Sequence, residues 1–253
     1  MKKYFAEFIG TYFLLSTVVG SGIMAERLSM GNDAIALLAN AIATGATLIV
    51  FISIFINISG AHFNPVVSII MYLRNKIKFN QTIFFIIVQI LGGILGVWTI
   101  HYIFELEILQ LSSNIRTGIP QYSSEILATF GLIFVILMSE KYNPDKIPIL
   151  VGLYITSAYW FTSSTSFANP AVTIARTLSD TFSGINYGDT FPFIFCQFVG
   201  GLLALFLFKI ISSNNFTKSS TYKKSLICVP GEQLNFLFLR HEDITIGISL
   251  SIV

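Results

Sequence analysis

Long stretches without a single charged residue make up most of this 253-residue chain. Asp, Glu, Lys and Arg together form 11% of it, whereas they form about 25% of an average soluble domain. Most of the uncharged stretches approach or exceed the roughly 20 apolar residues that a helix needs to cross a bilayer. They span residues 8–25, 34–73, 79–104, 126–139, 147–175 and 190–208. The sequence therefore predicts an all-α, polytopic membrane protein.

Two of these stretches are too long for a single crossing. Residues 34–73 form a run of 40 and residues 147–175 a run of 29, and each contains a proline, Pro65 or Pro170. A span followed by a half-length re-entrant helix accounts for both runs. Irregular backbone at this depth is tolerated only where it packs in protein or lines a water-filled cavity. Besides two half helices, we expect six spans at residues 4–24, 35–57, 80–103, 123–140, 147–163 and 190–210.

Three short motifs occur twice along the chain, in the same order. Residues 7–11 correspond to 125–129, residues 62–68 to 167–173, and residues 89–93 to 197–201. The separations are 118, 105 and 108 residues, so the chain consists of two copies of one unit with three spans each. Because that number is odd, the second copy is inserted upside down relative to the first. This organisation is typical of an inverted-repeat membrane protein.

The predicted organisation is one channel domain followed by a tail. The channel domain covers residues 1–211, with repeat one at about 4–103 and repeat two at about 123–210. Residues 212–253 change in composition and are expected to form a flexible or weakly membrane-associated tail.

The basic residues predict the orientation of the chain in the membrane. With the N-terminus inside, 12 of the 15 Lys and Arg residues lie on the cytoplasmic side, as the positive-inside rule requires. Both termini are then cytoplasmic, in a multi-pass protein of the cell membrane. The basic residues are distributed among the loops and form no stripe, so nucleic acid is not an expected partner.

Asn64-Pro65 and Asn169-Pro170 are both typical of a helix start, because Asn caps free N–H groups and Pro fits the first helical position. The inverted repeat directs both helix N-termini towards the bilayer centre from opposite sides. Each N-terminus carries about half a positive charge, so a cation meets an electrostatic barrier there in addition to its dehydration cost. Neutral solutes are not excluded. We assign the pore midplane to Asn64, Pro65, Val66, Asn169, Pro170 and Ala171.

The segments before the two half helices are expected to line the pore with backbone carbonyls. These carbonyls accept hydrogen bonds from a passing solute, while the Asn64 and Asn169 amides donate to it. The carbonyls belong to Gly60, Ala61, His62, Thr165, Ser166 and Phe167.

The paired Asn-Pro segments, Ser59-Gly-Ala-His-Phe-Asn-Pro-Val and Phe167-Ala-Asn-Pro-Ala, resemble the signature of the major intrinsic protein family, the aquaporins and glycerol facilitators. The resemblance covers residues 4–210. It implies six spans with two half helices, a homotetramer with one pore per subunit, and passive conduction of water or small uncharged solutes through the lipid bilayer.

Two positions depart from the family pattern. Val66 stands where Ala is usual in the first Asn-Pro-Ala. Val172 stands where most members have the arginine of the outer selectivity filter, and spacing from the two Asn residues places the rest of the filter at Thr44, Ser157 and Ser166. All four side chains are small and uncharged, which predicts a wider constriction without a fixed cation.

Arg176 follows Val172 by four residues, about one helical turn further out. It is either a displaced mouth arginine or the partner of Asp180 in an ion pair. The segment from Asn169 to Phe182 is also similar to a bacterial subgroup associated with arsenic-resistance loci. That similarity implies arsenous acid, antimonous acid or methylated arsenicals as substrates, beside glycerol-like polyols.

Glu7 and Glu125 are the acids within the repeat cores. Their equivalent placement favours a structural role, as acceptors for the re-entrant loop backbones, over a proton relay. His62 is interpreted as a loop-packing residue, with a pH-sensing gate as the alternative. The rival functions are a water-selective aquaporin and a proton-coupled secondary transporter. The sequence contains no nucleophile–base pair, phosphate loop or metal spacing, so we expect no catalytic residue, metal or cofactor, and no enzymatic activity.

Overall fold

The computed structural model describes residues 1–213, 236–241 and 244–249. Over this part of the chain there are eight α-helices and two strands. The helices are α1 (Lys2–Leu28), α2 (Asp33–Ser59), α3 (Pro65–Leu73), α4 (Phe79–Ile103), α5 (Ile119–Tyr142), α6 (Ile147–Phe161), α7 (Pro170–Arg176) and α8 (Tyr187–Ser212), with a 3-10 turn at Pro144–Lys146 before α6.

Five helices, α1, α2, α4, α5 and α8, are long and apolar enough to cross a membrane. The sixth predicted span, α6, is shorter, with 15 residues, which is about 22 Å at 1.5 Å per residue. It ends at Phe161, two residues before the predicted boundary. The short helices α3 and α7 begin at the two prolines. The predicted fold class, six spans with two re-entrant half helices, is thus confirmed.

In each repeat, a glycine allows the first span to pack closely against the third. A Cβ added to Gly92 of α4 would lie 2.4 Å from the carbonyl oxygen of Phe8 in α1. In the second repeat, a Cβ on Gly200 of α8 would lie 2.3 Å from the carbonyl oxygen of Ile126 in α5. Small residues at such crossings allow close backbone approach in membranes. The two repeats therefore use the same packing solution at equivalent positions.

The strands β1 (Phe236–His241) and β2 (Ile244–Ser249) pair antiparallel, with Phe236 opposite Ser249 and His241 opposite Ile244. They were not expected from the sequence. The remaining tail residues, 214–235, 242–243 and 250–253, for which a flexible or membrane-associated tail was predicted, lie outside the described residues. The chain divides into compact units at Met1–Phe208 and Lys209–Val253.

Candidate pore

Each half helix begins with the same cap. Asn64 has an extended backbone with φ −154°, and its side-chain oxygen accepts from the backbone N–H of Val66 at 2.9 Å. Asn169, with φ −160°, accepts from the backbone N–H of Ala171 at 3.0 Å. Both caps satisfy a helix N–H group that has no partner within the helix.

The two caps also tie the two repeats together. The Asn64 amide Nδ2 donates to the carbonyl oxygen of Ala168, and the Asn169 Nδ2 donates to that of Phe63, both at 2.8 Å. Each amide oxygen therefore faces its own helix, while each amide nitrogen faces the opposite loop. One hydrogen of each Nδ2 has no protein partner among the described residues, so it is free to bind a solute.

Both segments before the half helices contain left-handed backbone at equivalent positions. Positive φ occurs at Ala61 and Phe63 in the first loop and at Ser166 and Ala168 in the second. Such conformations are unfavourable for residues with a Cβ and persist only where the surroundings impose them. The two loops therefore share one unusual backbone conformation, which the surrounding structure holds in place.

Two fully buried carboxylates hold these loops in place. Glu7 and Glu125 are each 0% exposed, and each accepts four hydrogen bonds: one from a serine, two from loop backbone N–H groups and one from a glutamine. The donors to Glu7 are Ser59 Oγ at 2.6 Å, His62 N at 2.9 Å, Phe63 N at 2.7 Å and Gln89 Nε2 at 2.8 Å. The donors to Glu125 are Ser164 Oγ at 2.6 Å, Phe167 N and Ala168 N at 2.9 Å, and Gln197 Nε2 at 2.6 Å. This geometry fits the predicted support role.

A cavity of about 340 Å³ extends along the half helices and includes Asn64 and Asn169 in its lining. Of the predicted carbonyl residues, Gly60, Ala61, His62, Ser166 and Phe167 contribute to its wall, and Thr165 does not. Most of the remaining wall is aliphatic. An apolar cavity with a few polar groups is suited to small neutral molecules.

The two ends of this cavity differ in their residues. We call the end lined by Thr44, Tyr159 and Arg176 the Arg176 mouth, and the end lined by Lys76 and Glu140 the Lys76 mouth. At the Lys76 mouth, the ammonium of Lys76 lies 3.1 Å from a carboxylate oxygen of Glu140. Neither Lys76 nor Glu140 was singled out from the sequence, because their contact joins the turn after α3 to the end of α5.

Three of the four predicted filter residues lie at the cavity: Thr44, Ser166 and Val172. The assignment of Ser157 is corrected, because this residue is exposed on α6 and its hydroxyl donates to the backbone carbonyl of Tyr154. Tyr159, instead of Ser157, is the α6 residue that lies beside Thr44 in the cavity wall. It is 3% exposed, and its hydroxyl lies 3.3 Å from Thr44 Oγ1.

The spacing of cavity residues along α6 explains this correction. Val151, Ile155 and Tyr159 all line the cavity, and residues four apart share one face of a helix. Ser157 is two residues from Tyr159 and so lies on nearly the opposite face. The sequence contained this four-residue period, whereas counting from Asn169 assumed a fixed loop length after α6.

Most of the predicted midplane residues pack behind the cavity wall. Pro65, Val66, Pro170 and Ala171 are buried but do not line the cavity. Val66 instead packs towards α8, where a Cβ on Gly201 would lie 2.6 Å from the Val66 side chain. Gly201 thus provides space for the valine that replaces the usual alanine.

Arg176 lies in the cavity wall and is 2% exposed. Its guanidinium carbon lies 3.5 Å from the centre of the Phe167 ring, and its Nε donates to the backbone carbonyl of Ser183. The expected ion pair with Asp180 is absent from the described residues. Asp180 instead accepts from the backbone N–H and the hydroxyl of Ser113, both at 2.8 Å, and these bonds lower its pKa.

Ser166 provides a further polar group at this mouth. It is 3% exposed and lines the cavity, and its hydroxyl has no hydrogen-bond partner among the described residues. Buried hydroxyls are normally paired. The Arg176 mouth therefore combines one buried cation and one unpaired hydroxyl with the Thr44–Tyr159 pair.

His62 lines the cavity, and its Nδ1 lies 3.1 Å from Ser68 Oγ. Its backbone N–H donates to Glu7. This placement is compatible with the loop-packing interpretation, and the pH-gate alternative stays untested. Among the described residues there is no group of three His, Cys, Asp or Glu that could hold a metal ion.

The chain is similar to known channels in sequence and in fold. A sequence model of the family described as major intrinsic protein matches residues 1–166. The aquaglyceroporin AqpS of Rhizobium meliloti is 46% identical over 208 residues, covering 82% of this chain and 89% of that protein. The glycerol uptake facilitator protein-like 6 of Lactiplantibacillus plantarum is 27% identical over 228 residues, covering 85% of this chain and 100% of that protein. The X-ray structure of the aquaglyceroporin from Plasmodium falciparum has the same fold, with a TM-score of 0.68 at 20% identity, covering 83% of this chain and 96% of that chain.

These similarities confirm the predicted family and the predicted class of function. The relatives are channels and not enzymes, and this chain is a multi-span membrane protein that conducts small solutes and water passively. The chain belongs to the major intrinsic protein family.

Proposed function

We propose that this channel admits neutral solutes larger than water, of the polyol class, including glycerol and undissociated arsenous or antimonous acid and methylated arsenicals. The observation that carries the proposal is Val172, an aliphatic residue in the cavity wall where most family members have the filter arginine. Val172 removes both the bulk and the fixed charge from that position. The Arg176 mouth still offers donors and acceptors to a hydroxylated solute.

In this proposal the main barrier to ions lies at the midplane, and the Arg176 guanidinium adds a positive charge at its own mouth. The positive ends of α3 and α7 meet at Asn64 and Asn169, so a cation loses its water where the potential is positive. A neutral triol or trihydroxy acid exchanges its hydrogen bonds with water for bonds to the amides and to loop carbonyls. Its cost of passage is therefore low.

The orientation, location and assembly of the protein are also part of the proposal. Most basic residues lie on the same side of the membrane as the N-terminus, which favours cytoplasmic termini in the cell membrane. The Arg176 mouth is then extracellular. Many large apolar side chains remain exposed on the outer helix faces, including Phe84 and Leu91. Lipid and neighbouring subunits of a homotetramer would cover these faces.

The test is stopped-flow light scattering of proteoliposomes challenged with glycerol and with arsenous acid, compared with protein-free vesicles. Glycerol influx through the wild type should exceed that of protein-free vesicles by about tenfold, and Val172→Arg should remove most of it, about 1.4 kcal/mol of barrier. Val172→Met is the matched control, because methionine has similar length without the charge or donors. Loss in both variants would assign the effect to bulk alone.

Two rival functions give different results in the same vesicles. Fast water movement without glycerol influx would support a water-selective aquaporin and would overturn the wide-filter proposal. Solute accumulation against its gradient, driven by a pH difference, would support a proton-coupled transporter with Glu7 or Glu125 as the relay. A passive channel predicts equal final concentrations on both sides at every pH.

A further inference from the structure

His101 is a fully buried histidine in the last turn of α4, with 0% of its side chain exposed. It belongs to the first repeat, and it contacts the loop that follows α7 in the second. Its Nδ1 lies 3.0 Å from the carbonyl oxygen of Ile108, and its Nε2 lies 2.9 Å from Ser179 Oγ. Both ring nitrogens therefore have a partner.

These two contacts determine the arrangement of hydrogens on neutral His101. A carbonyl oxygen only accepts, so Nδ1 carries the hydrogen and donates to Ile108. Nε2 is then an acceptor, and the hydroxyl of Ser179 donates to it. Ser179 Oγ is in turn free to accept from the hydroxyl of Thr181, which lies 2.9 Å away.

The same loop carries the contact that fixes Arg176. The backbone N–H of Gly184 donates to the carbonyl of Thr181 at 2.8 Å, which closes the turn containing Ser183. The carbonyl of Ser183 accepts from Nε of Arg176. A Cβ on Gly184 would lie 2.3 Å from the carbonyl oxygen of Ser179, so this turn is packed tightly against Ser179.

A chain of contacts therefore leads from His101 through Ser179 and the turn at residues 181–184 to the guanidinium at the mouth. We propose that His101 is a positioning residue: by accepting from Ser179 it fixes this turn, and the turn holds Arg176 over Phe167. His101 thereby sets which solutes pass the Arg176 mouth. This inference rests on the proposed function, in which that mouth selects the solute.

One charged group contacts this chain of contacts directly: Arg116 donates from Nε to the carbonyl of Gly184, in the same turn, at 2.9 Å. Other charged groups nearby are engaged elsewhere or exposed. Asp180 accepts from Ser113, and Arg27 of α1 donates to the carbonyl of Phe104. Glu105 and Glu107, which follow α4, are exposed. Among the described residues His101 makes no ion pair, and its ring contacts are those to Ile108 and Ser179.

Substitutions at His101 separate the two contacts of its ring. His101→Asn can still donate to Ile108 but is too short to reach Ser179. His101→Gln places an amide oxygen near the former Nε2, where it can accept from Ser179. We expect the ratio of glycerol to water permeability to change about threefold in His101→Asn, a factor common for coupled neighbouring groups, and to stay near the wild-type ratio in His101→Gln. Ser179→Ala should reproduce the His101→Asn result with the imidazole intact.

The decisive test is a double-mutant cycle with Arg176 in proteoliposomes of the full chain. If His101 acts through Arg176, Ser179→Ala should change the permeability ratio in the wild-type background and leave it unchanged in the Arg176→Ala background. Ser113→Ala is the matched control, since it removes a hydroxyl bond to the same loop outside the chain of contacts. It should leave the ratio unchanged.

The outcomes distinguish this inference from the proposed function. If Arg176→Ala does not alter the ratio, Arg176 does not select solutes and the positioning role of His101 is wrong, whereas the proposed function is decided separately by glycerol influx through the wild type and Val172→Arg. If Arg176→Ala alters the ratio but Ser179→Ala and His101→Asn do not, the mouth role stands and the positioning role of His101 is wrong. Additive effects in the cycle would also overturn it, because they would show that the two groups act separately.

Discussion

The two re-entrant loops are held by matching bonds but lead to mouths of different chemistry. Glu7 and Glu125 each accept from one serine, two backbone N–H groups and one glutamine. Beyond the half helices the symmetry ends: a Lys76–Glu140 ion pair lies at one mouth, and Arg176 lies over an aromatic ring at the other. In the proposed mechanism, the symmetric part builds the midplane that excludes ions. The asymmetric part is where solute choice can vary.

The largest loss of thermal stability should come from removing either buried carboxylate, Glu7 or Glu125. Glu7→Ala and Glu125→Ala each leave one serine hydroxyl and two backbone N–H groups without an acceptor and remove one of the two acceptors of a glutamine amide, which costs about 3 kcal/mol or more. Both variants should lose thermal stability in detergent to a similar extent, since their surroundings match. Glu26→Gln, at an exposed position of α1, is the control and should unfold like the wild type. A large loss in only one of the two variants would break the symmetry argument.

A smaller loss of stability should distinguish the two repeats at the second glycine of each Gly-Gly pair, Gly93 and Gly201. A Cβ on Gly201 would lie 2.6 Å from Val66, whereas a Cβ on Gly93 would lie 3.3 Å from its nearest neighbours. Gly201→Ala should therefore lower the free energy of unfolding by about 2 kcal/mol through overpacking, and Gly93→Ala by less. Adding Val66→Ala to Gly201→Ala should restore stability in the same thermal assay. If it does not, Val66 is not the group for which Gly201 leaves room.

The smallest effect on stability concerns the exposed hydrogen bonds from Ser113 to Asp180. Hydrogen bonds from Ser113 lower the pKa of Asp180 below its ordinary value of 3.8. The folded form therefore holds the proton less tightly than the unfolded chain, so this contribution to stability is present above pH 3.8 and is lost as the pH falls through the lower, folded pKa. Hydrogen exchange of the loop after α7 should quicken slightly in that acid range for the wild type. Asp180→Asn should exchange at a rate that does not change with pH once intrinsic rates are subtracted.

Much of the fold was predictable because its signals are local. Uncharged runs indicated the spans, and Asn64-Pro65 and Asn169-Pro170 indicated where the half helices begin. The filter was only partly predictable, since spacing from Asn169 led to Ser157 while the face of α6 turned Tyr159 inwards. The choice between two roles for Arg176 was likewise open. Helix α7 ends at Arg176, so the one-turn relation that would bring Asp180 beside it does not apply.

The most direct test of the central claim measures glycerol influx and proton leak in the same preparation of wild-type proteoliposomes. The symmetric midplane and the Val172 filter together predict rapid glycerol influx, about tenfold above protein-free vesicles, with a proton leak equal to that of protein-free vesicles. A proton leak that rises in parallel with glycerol influx would contradict the midplane barrier. Glycerol influx no faster than in protein-free vesicles, in a preparation that conducts water, would contradict the account of the Arg176 mouth.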